Sequence, residues 1–319
     1  MYKDKSICVV VPAHNEETQI GKVIDTMPAY VDRVVIIDDA SQDETVDTIK
    51  RHREKLEKIV LIEHQRNQGV GGAIVSGYKW ARDQNYEVTA VMAGDGQMDP
   101  DDLQSIIEPV VNGTADYAKG NRLFYGDAWR LIPHYRYLGN AFLSLCTKIA
   151  SGYWHIADSQ SGFTAISLMA LKRIALDDIF NDYGMPNDLL IKLNQFDFPV
   201  QDVHIKPVYN VGEKSGIRLI RVIPKISWLL LLGFWKRLFF KYVIKDFHPL
   251  VFFYVFSCLL LMASVPLTIR LFYIWAVVGN IPDINAMALI FTLISGFQML
   301  FFGMWFDMDY NKNLGPKKK

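Results

Sequence analysis

The stretch SICVVVPAHNE, residues 6–16, decides the fold: an apolar run is followed at once by a cluster of polar residues. A second stretch, RVVIIDDASQD at residues 33–43, repeats this arrangement. Short apolar runs that end in polar residues are typical of buried parallel strands, whose two faces are both covered. We therefore predict strands at residues 6–11 and 33–37, with functional side chains directly after them.

Outward from these two stretches, the same pattern continues along the chain. Apolar runs at residues 59–62 and 88–92 are separated by helix-like segments. Strands that alternate with helices predict an α/β domain with a parallel sheet and right-handed crossovers. Ligands of such sheets bind beyond the carboxyl ends of the strands, so the polar residues there are the candidates for chemistry.

Two adjacent carboxylates, Asp38 and Asp39, follow the second predicted strand. Neighbouring carboxylates are unfavourable unless donors bind them, and the hydroxyls and base edge of a nucleoside are suitable donors. Ser41 or Asp43 can cap a helix that begins near Thr45, which explains one of those residues without any function.

Glycines at positions 69, 71 and 72 open a predicted helix that continues towards Gln84. Gly71 and its neighbours can admit a phosphate at the helix N-terminus. They can equally allow the helix to pack tightly, and the sequence leaves both interpretations open.

The fourth predicted strand ends in AGDGQMDP, residues 93–100. On an extended segment Asp95 and Gln97 would face the same way and offer oxygen ligands to Mg²⁺ or Mn²⁺. A divalent cation there would neutralise charge on a departing diphosphate. A turn followed by a helix that starts at Asp99 and Pro100 explains the same residues without a metal.

The composition excludes several classes of protein. Among 319 residues, 34 are basic and 34 are acidic, so no basic excess favours a nucleic-acid partner. Cys8, Cys146 and Cys258 lack the spacing of a zinc site or a disulfide framework, which favours a reducing compartment. The N-terminal residues lack the apolar core of a secretory signal.

Two uncharged runs, residues 250–269 and 286–306, are each long enough to cross a bilayer as a helix. A linker with Gly279 and Pro282 joins them, as in a hairpin. Lysine and arginine residues flank the hairpin on both sides and are absent from its linker. By the positive-inside rule we predict an integral membrane protein with its catalytic domain and both termini in the cytoplasm.

Residues 217–245 mix apolar, aromatic and basic side chains, and we expect Pro224 to divide them into two short helices. Such helices can lie in the membrane interface, although ordinary amphipathic packing is an alternative. The predicted organisation is a catalytic domain at 1–215, juxtamembrane helices at 216–247, two transmembrane helices at 248–309 and a basic tail at 310–319.

Taken together, these motifs resemble those of family 2 glycosyltransferases of the polyprenyl-phosphate sugar synthase type. This type includes dolichyl-phosphate mannose synthase and bactoprenol glucosyltransferases. The resemblance runs through residues 12–16, 38–43, 67–72 and 95–100, and continues through Gly120-Asn121-Arg122 and Ser161-Gly162-Phe163. It implies a GT-A fold and an inverting enzyme that transfers a glucose, mannose or N-acetylhexosamine unit from a UDP- or GDP-sugar to dolichyl or undecaprenyl phosphate.

The resemblance also implies roles for individual residues, given by group. The nucleotide-sugar set is Pro12, His14, Glu16, Asp38, Asp39, Gly71 and Asp95; the metal set is Asp95 and Gln97; the acceptor-phosphate set is Arg122, Arg136 and Asn140. Asp158 and Asp188 fall where the family places acidic residues near the site, where either can orient sugar hydroxyls or an arginine, although helix capping explains Asp188 equally well. The implied catalytic set is Arg122, Arg136, Asp158 and Asp188.

The sequence departs from the family pattern at three points. Ala93 stands where the first aspartate of an Asp-x-Asp metal motif is expected, and His14 replaces a more common tyrosine. An arginine often found before residues 212–216 is missing. Lys214 or Arg218 can contact the diphosphate instead, and surface charge explains both residues as well.

The implied reaction needs no strong general base, because a lipid phosphate is largely ionised at neutral pH. It needs cations that hold two phosphates together, and arginine supplies forked donors for this purpose. Two other functions remain alternatives: a catalytically silent sugar-nucleotide scaffold, and a processive polysaccharide synthase, although the QxxRW motif of the latter is absent. The transmembrane helices can also mediate homo-oligomer formation.

Overall fold

A computed structural model describes residues 1–124, 126, 128–208 and 219–317, without the side chains of residues 128, 131, 135, 136 and 219–221. Lys214 and Arg218 lie outside the described residues. The strands are β1 Ile7–Ala13, β2 Arg33–Asp38, β3 Ile59–Glu63, β4 Val88–Val91, β5 Tyr117–Asn121, β6 Thr164–Ser167 and β7 Val200–His204. The helices are α1 Ile20–Asp25, α2 Thr45–Arg53, α3 Gly69–Asp83, α4 Leu103–Val111, α5 Ala128–Leu131, α6 His134–Ser151, α7 Leu168–Arg173, α8 Met185–Gln195, α9 Leu219–Phe239, α10 Leu250–Val278 and α11 Asp283–Asn311.

The described strands form one seven-stranded sheet in the order β3-β2-β1-β4-β6-β5-β7. Only β6 runs against its two neighbours, so the prediction of a mostly parallel sheet is confirmed. Alternate residues of β1 enter two separate cores, one with α1, α2 and α4 and the other with α3, α7 and α8. The domain is therefore a three-layer α/β/α sandwich, in which the central strands are buried on both faces.

The sheet brings the predicted polar segments to one edge. Ala13 at the end of β1 pairs with Asp38 at the end of β2, and β4 runs parallel to β1 on its other side. Since β6 is antiparallel to both β4 and β5, the carboxyl end of β5 lies at this same edge. The residues after β1, β2, β4 and β5 therefore surround one region of the surface.

The chain divides into two compact units, Met1–Phe234 with Asn313–Lys319, and Trp235–Lys312. The second unit contains α10 and α11, which are long and apolar enough to cross a membrane. In the most apolar stretch of each helix, only 22% of the residues of α10 and 11% of those of α11 are buried, whereas the core helix of a soluble protein is mostly buried. Both helices extend beyond the predicted spans, and Arg270 lies inside α10.

The predicted break at Pro224 is wrong. Helix α9 runs without interruption from Leu219 to Phe239, with Pro224 inside it, and continues as one π-helical segment at Phe240–Lys245. A proline near the start of a helix removes only one backbone hydrogen bond there, and the packing of Ile226 and Leu230 against α6 and α8 holds the helix together.

The second unit contains a buried polar cluster of its own. Arg237 donates two hydrogen bonds to Asp307, at 2.8 and 3.0 Å, and both side chains are fully buried. Tyr242 donates to Asp307 at 2.6 Å, and Lys241 donates to Asn311 at 2.7 Å. These contacts join the segment before the first span to the last turns of α11.

Candidate active site

The loops after β1 and β2 are tied to each other by reciprocal hydrogen bonds. The backbone N–H of Asn15 donates to Ser41 Oγ, and the N–H of Gln42 donates to Asn15 Oδ1 at 2.8 Å. Asn15 and Ala40 both have positive φ, at 57° and 59°, a conformation that L-residues adopt at some cost. Strained backbone held by surrounding contacts is a frequent feature of ligand-binding loops.

The carboxylates after β2 are both buried and have different surroundings. Asp39 accepts from the N–H groups of Gln68 and Gly69, and it contacts His64 Nδ1 at 2.7 Å. Asp38 accepts from the N–H of Ser41, while its Oδ1 atom is buried and has no donor among the described residues. The protein's own donors thus account for Asp39 and leave one oxygen of Asp38 unexplained.

The glycines of α3 serve close packing. A Cβ atom at Gly71 would lie 2.5 Å from the carbonyl oxygen of Phe180, and one at Gly77 would lie 2.2 Å from Val10. The N–H of Gly72 donates to the carbonyl of Asn181. Of the two interpretations of this segment, the structure provides direct contacts for tight packing.

The predicted metal ligands lie in a turn, so the expectation of an extended segment is wrong. Gly96 has a φ of 73°, and Asp95 Oδ1 accepts from the N–H of Gln97. Glycine adopts this left-handed conformation without a steric penalty, and the charge of Asp95 acts on Glu16. Burial, together with the charges of Asp95 and Asp43, raises the pKa of Glu16 to about 7.

These carboxylates suit a divalent cation only in part. Among the described residues, no three His, Cys, Asp or Glu side chains are arranged to hold a metal ion. The oxygen atoms of Asp95 and Gln97 nevertheless match the hard ligands that Mg²⁺ and Mn²⁺ prefer. After burial, the charges of Asp95 and Asp43 contribute to the raised pKa of Glu16. Asp95 and Gln97 could therefore supply only part of the ligands of a divalent cation, and a bound diphosphate and water would have to supply the rest.

Pro12 and His14 differ in their exposure to solvent. Pro12 is buried at the end of β1, while His14 is exposed and lies 3.3 Å from the amide of Asn15. A helical turn does start at Asp99, whose side chain accepts from the N–H of Asp101.

Arg122, directly after β5, is held by Asp158. Its backbone N–H and Nε both donate to Asp158 Oδ2, and its Nη2 donates to Oδ1 at 3.2 Å. The Asp158 side chain is fully buried, whereas 23% of the Arg122 side chain is exposed. Burial opposes ionisation of Asp158, but the charges of Arg122 and Lys119 and the hydrogen bonds of Arg122 outweigh it and lower the pKa of this carboxyl.

The other predicted residues on the acceptor side lie on two helices. Arg136 and Asn140 are both on α6, and the side chain of Arg136 is outside the described part of the chain. Asp188 is in the first turn of α8, where it accepts from the N–H of Phe180 at 2.9 Å and from Lys192 at 2.5 Å. These contacts show that Asp188 fixes the loop that precedes α8.

The sequence reasoning missed three polar residues around the site: Lys119, which is fully buried, and His64 and Asp202, which are partly buried. His64 bridges Asp39 and Ser76, and Asp202 accepts from Asn121 and from the N–H of Ala157. One signal was available for Lys119, because this lysine directly precedes the Gly120-Asn121-Arg122 motif.

Comparisons with known proteins agree with this arrangement. The chain is 31% identical over 242 residues to the UDP-N-acetylglucosamine–dolichyl-phosphate N-acetylglucosaminyltransferase of Methanococcus voltae, covering 72% of this chain and 96% of that relative. It is 27% identical to the undecaprenyl-phosphate mannosyltransferase of Micrococcus luteus, covering 58% of this chain and 76% of that relative.

Solved structures show the same fold. Glucosyl-3-phosphoglycerate synthase of Mycobacterium tuberculosis, in complex with UDP, superposes with a TM-score of 0.53 at 16% identity, covering 73% of this chain and 80% of that one. A complex of the same synthase with Mn²⁺, UDP and product gives a TM-score of 0.52. The predicted GT-A fold and the predicted enzyme class are therefore confirmed. The model of glycosyl transferase family 2 matches residues 8–175, and the chain belongs to that family.

Proposed function

We propose that the chain transfers a sugar from a UDP- or GDP-sugar to the phosphate of a polyprenyl lipid, with inversion at the anomeric carbon. One observation carries the proposal: an arginine held by a fully buried aspartate stands at the same sheet edge as the carboxylate-lined loops after β1, β2 and β4. Such an edge can hold a nucleotide-sugar on one side and an anionic acceptor on the other. The names of the relatives from Methanococcus and Micrococcus support a polyprenyl-phosphate acceptor.

On the donor side, the interlocked loops around Asn15 and Ala40 provide the pocket for the nucleoside. The buried oxygen of Asp38 is an acceptor that a base or ribose donor would satisfy. Asp95 and Gln97 are the residues proposed to hold Mg²⁺ or Mn²⁺ together with the diphosphate. When bound, the cation supplies charge neutralisation of the departing nucleoside diphosphate.

On the acceptor side, Arg122, Arg136 and Asn140 are proposed to bind the lipid phosphate. The phosphate oxygen is itself the nucleophile, so these residues orient it and compensate its charge. Helix α6, which carries Arg136 and Asn140, also exposes Leu138 and Phe142 by 60% and 70%. Exposed apolar side chains next to a phosphate site suit an acceptor that is part lipid.

We further propose that α10 and α11 anchor the protein in a membrane, with the catalytic unit and both chain ends on the cytoplasmic face. Both ends of the helical unit continue directly into the catalytic unit, at Trp235 and at Lys312. A chain that crosses a bilayer twice returns to the side from which it left. The basic residues beside both ends agree with the positive-inside rule. Assembly through these helices stays a prediction.

A purified-protein assay tests the proposal. The full chain in detergent is incubated with a panel of radiolabelled UDP- and GDP-sugars and a polyprenyl phosphate, with Mn²⁺ or with a chelator. We expect lipid-linked sugar with one donor class, formed in Mn²⁺ and lost in chelator. Asp95→Asn should reduce nucleotide affinity in Mn²⁺ to the level seen with chelator. Asp99→Asn, four residues further along the chain, serves as the matched control.

The same assay distinguishes the proposed transferase from the two alternative functions. A protein that binds a nucleotide-sugar but yields no lipid product with any acceptor would favour the silent sugar-nucleotide scaffold. Products of increasing glycan length would favour a processive synthase.

A further inference from the structure

A buried lysine lies beneath the proposed acceptor site. Lys119 is in the middle of β5 and is fully buried, although lysine is almost never found inside a sheet without partners. Its ammonium group donates a hydrogen bond to the carbonyl oxygen of Ser161. Solubility or surface packing cannot explain a charged side chain at this position.

The partners of Lys119 connect it to Arg122. In the sheet Lys119 stands opposite Asp202 of β7, and its charge interacts with Asp158, Arg122 and Asp202. Asp158 in turn accepts all three hydrogen bonds described above from Arg122. Lys119 therefore acts on the carboxylate that orients the arginine.

The ammonium group of Lys119 balances the charge of the cluster around Asp158. The cluster contains two cations, Lys119 and Arg122, and two carboxylates, Asp158 and Asp202. Without the ammonium of Lys119 the cluster would carry a net negative charge directly behind the position proposed for a dianionic phosphate. Such a charge would repel the acceptor and would draw Arg122 more tightly towards the interior.

We propose that Lys119 is a positioning residue for the transfer reaction: its buried ammonium offsets Asp158 and Asp202, so that Arg122 is both held in place and available to the acceptor phosphate. This inference rests on the proposed function. It adds a residue that touches neither substrate and acts only through Asp158 and Arg122.

The environment of Lys119 makes this role dependent on pH. Burial lowers the pKa of Lys119 to about 8, with Asp158 and Asp202 opposing the shift and Arg122 adding to it. The ammonium is present below this pH and is lost as the pH rises through it. Turnover should therefore decline on the alkaline side as Lys119 loses its proton.

The test is a pH profile of turnover for the full chain in proteoliposomes, with saturating donor and a polyprenyl phosphate. We expect wild-type turnover to fall by up to about tenfold for each pH unit above the pKa of Lys119. Lys119→Arg, which stays protonated, should lack this alkaline decline. Lys119→Met should be about 30-fold slower at neutral pH, a loss of the size seen for single catalytic donors, and should show no decline.

Lys119→Arg places a larger side chain in the core, and a second variant, Asp202→Asn, avoids this change in volume. Asp202→Asn removes a carboxylate that raises the pKa of Lys119, so its alkaline decline should begin at lower pH than in the wild type. Lys172→Met is the matched control, because Lys172 is an exposed lysine that pairs with Asn85. Direct binding of the nucleotide should be the same in every variant.

The inference is overturned if the active wild type, Lys119→Arg and Asp202→Asn share one alkaline profile, or if Lys119→Met turns over at the wild-type rate. A structural role alone would lower the yield of folded enzyme and leave the profile unchanged. Failure of the proposed function would look different, since the wild type itself would then form no lipid-linked product at any pH.

Discussion

The two compact units each bury a cluster of charged side chains, and the clusters differ in one respect. In the catalytic unit the cluster around Asp158 reaches the surface through Arg122, whose side chain is 23% exposed. In the helical unit Arg237 and Asp307 are both fully buried, with Tyr242, Lys241 and Asn311 around them. The first cluster can therefore act on a ligand, whereas the second can act only on the structure of the unit that contains it.

The difference follows from the cost of burying charge. Removing two ions from water costs several kcal/mol for each ion, and only close pairing with further hydrogen bonds compensates that cost. The helical unit pairs Arg237 and Asp307 with each other and keeps both away from solvent. The catalytic unit leaves one guanidinium group at the boundary with solvent, where a phosphate can complete its surroundings.

The largest effect is expected from breaking the cluster of the helical unit. Asp307→Ala leaves Arg237 buried without its carboxylate, which should lower the stability of the protein by about 3–5 kcal/mol. Thermal unfolding in detergent measures this loss. The control is Asp309→Ala, which removes an exposed carboxylate paired with Lys312 and should change stability by less than about 1 kcal/mol. Equal losses of stability from the two substitutions would contradict a stabilising role for the buried pair of Arg237 and Asp307.

Removal of the exposed member of the catalytic cluster should act on rate. Arg122→Ala is expected to lower turnover with polyprenyl phosphate about 100-fold, because a guanidinium that compensates the attacking phosphate is lost. Donor affinity, measured by direct nucleotide binding, should stay within about twofold, since Arg122 is assigned to the acceptor. The exposed Arg173 gives the control, Arg173→Ala. A loss confined to donor binding would reverse the assignment.

A third buried carboxylate extends the comparison. In Asp39→Asn an amide NH₂ group can face the backbone N–H of Gly69, which donates to the Asp39 carboxylate in the wild type. Two donors would then meet, and one hydrogen bond would be lost. We expect a loss of about 2 kcal/mol in the free energy of unfolding of the catalytic unit. Denaturant titration compares it with Asp47→Asn on the exposed face of α2. A stable variant with weaker nucleotide binding would instead assign Asp39 to the donor.

The smallest effect concerns the loop beside these carboxylates. Ala40→Gly relieves a left-handed conformation but adds freedom to the unfolded chain, so stability should rise by only about 0.5 kcal/mol. Ala40→Val is the counterpart and should lower stability, because β-branched residues tolerate positive φ poorly. If both variants changed the free energy of unfolding in the same direction and by the same amount, the backbone at Ala40 would not be strained.

The first four strands, β1 to β4, the two apolar helices and the family were predictable from sequence, since each depends on a local pattern of residues, whereas β5, β6 and β7 were not predicted. Apolar runs ending in Asp38 or Asp95 mark strand ends wherever they occur, and an uncharged run of bilayer length marks a possible span. The acceptor role of Arg122 came from the resemblance to family 2 glycosyltransferases and stays a prediction. The continuity of α9 through Pro224 was not predicted, because packing against other helices outweighed the local preference of proline.

The partners of the site residues were beyond the reach of local patterns. The sequence by itself determined that carboxylates and arginines stand at the ends of strands, and that the chain contains a polar catalytic domain and an apolar hairpin. Only the tertiary structure decided that Asp39 is bound by His64 and α3, and that Lys119 and Asp202 stand behind Arg122. The reason is physical: the charge state and direction of a buried side chain depend on groups brought near it by folding, which lie far away along the chain.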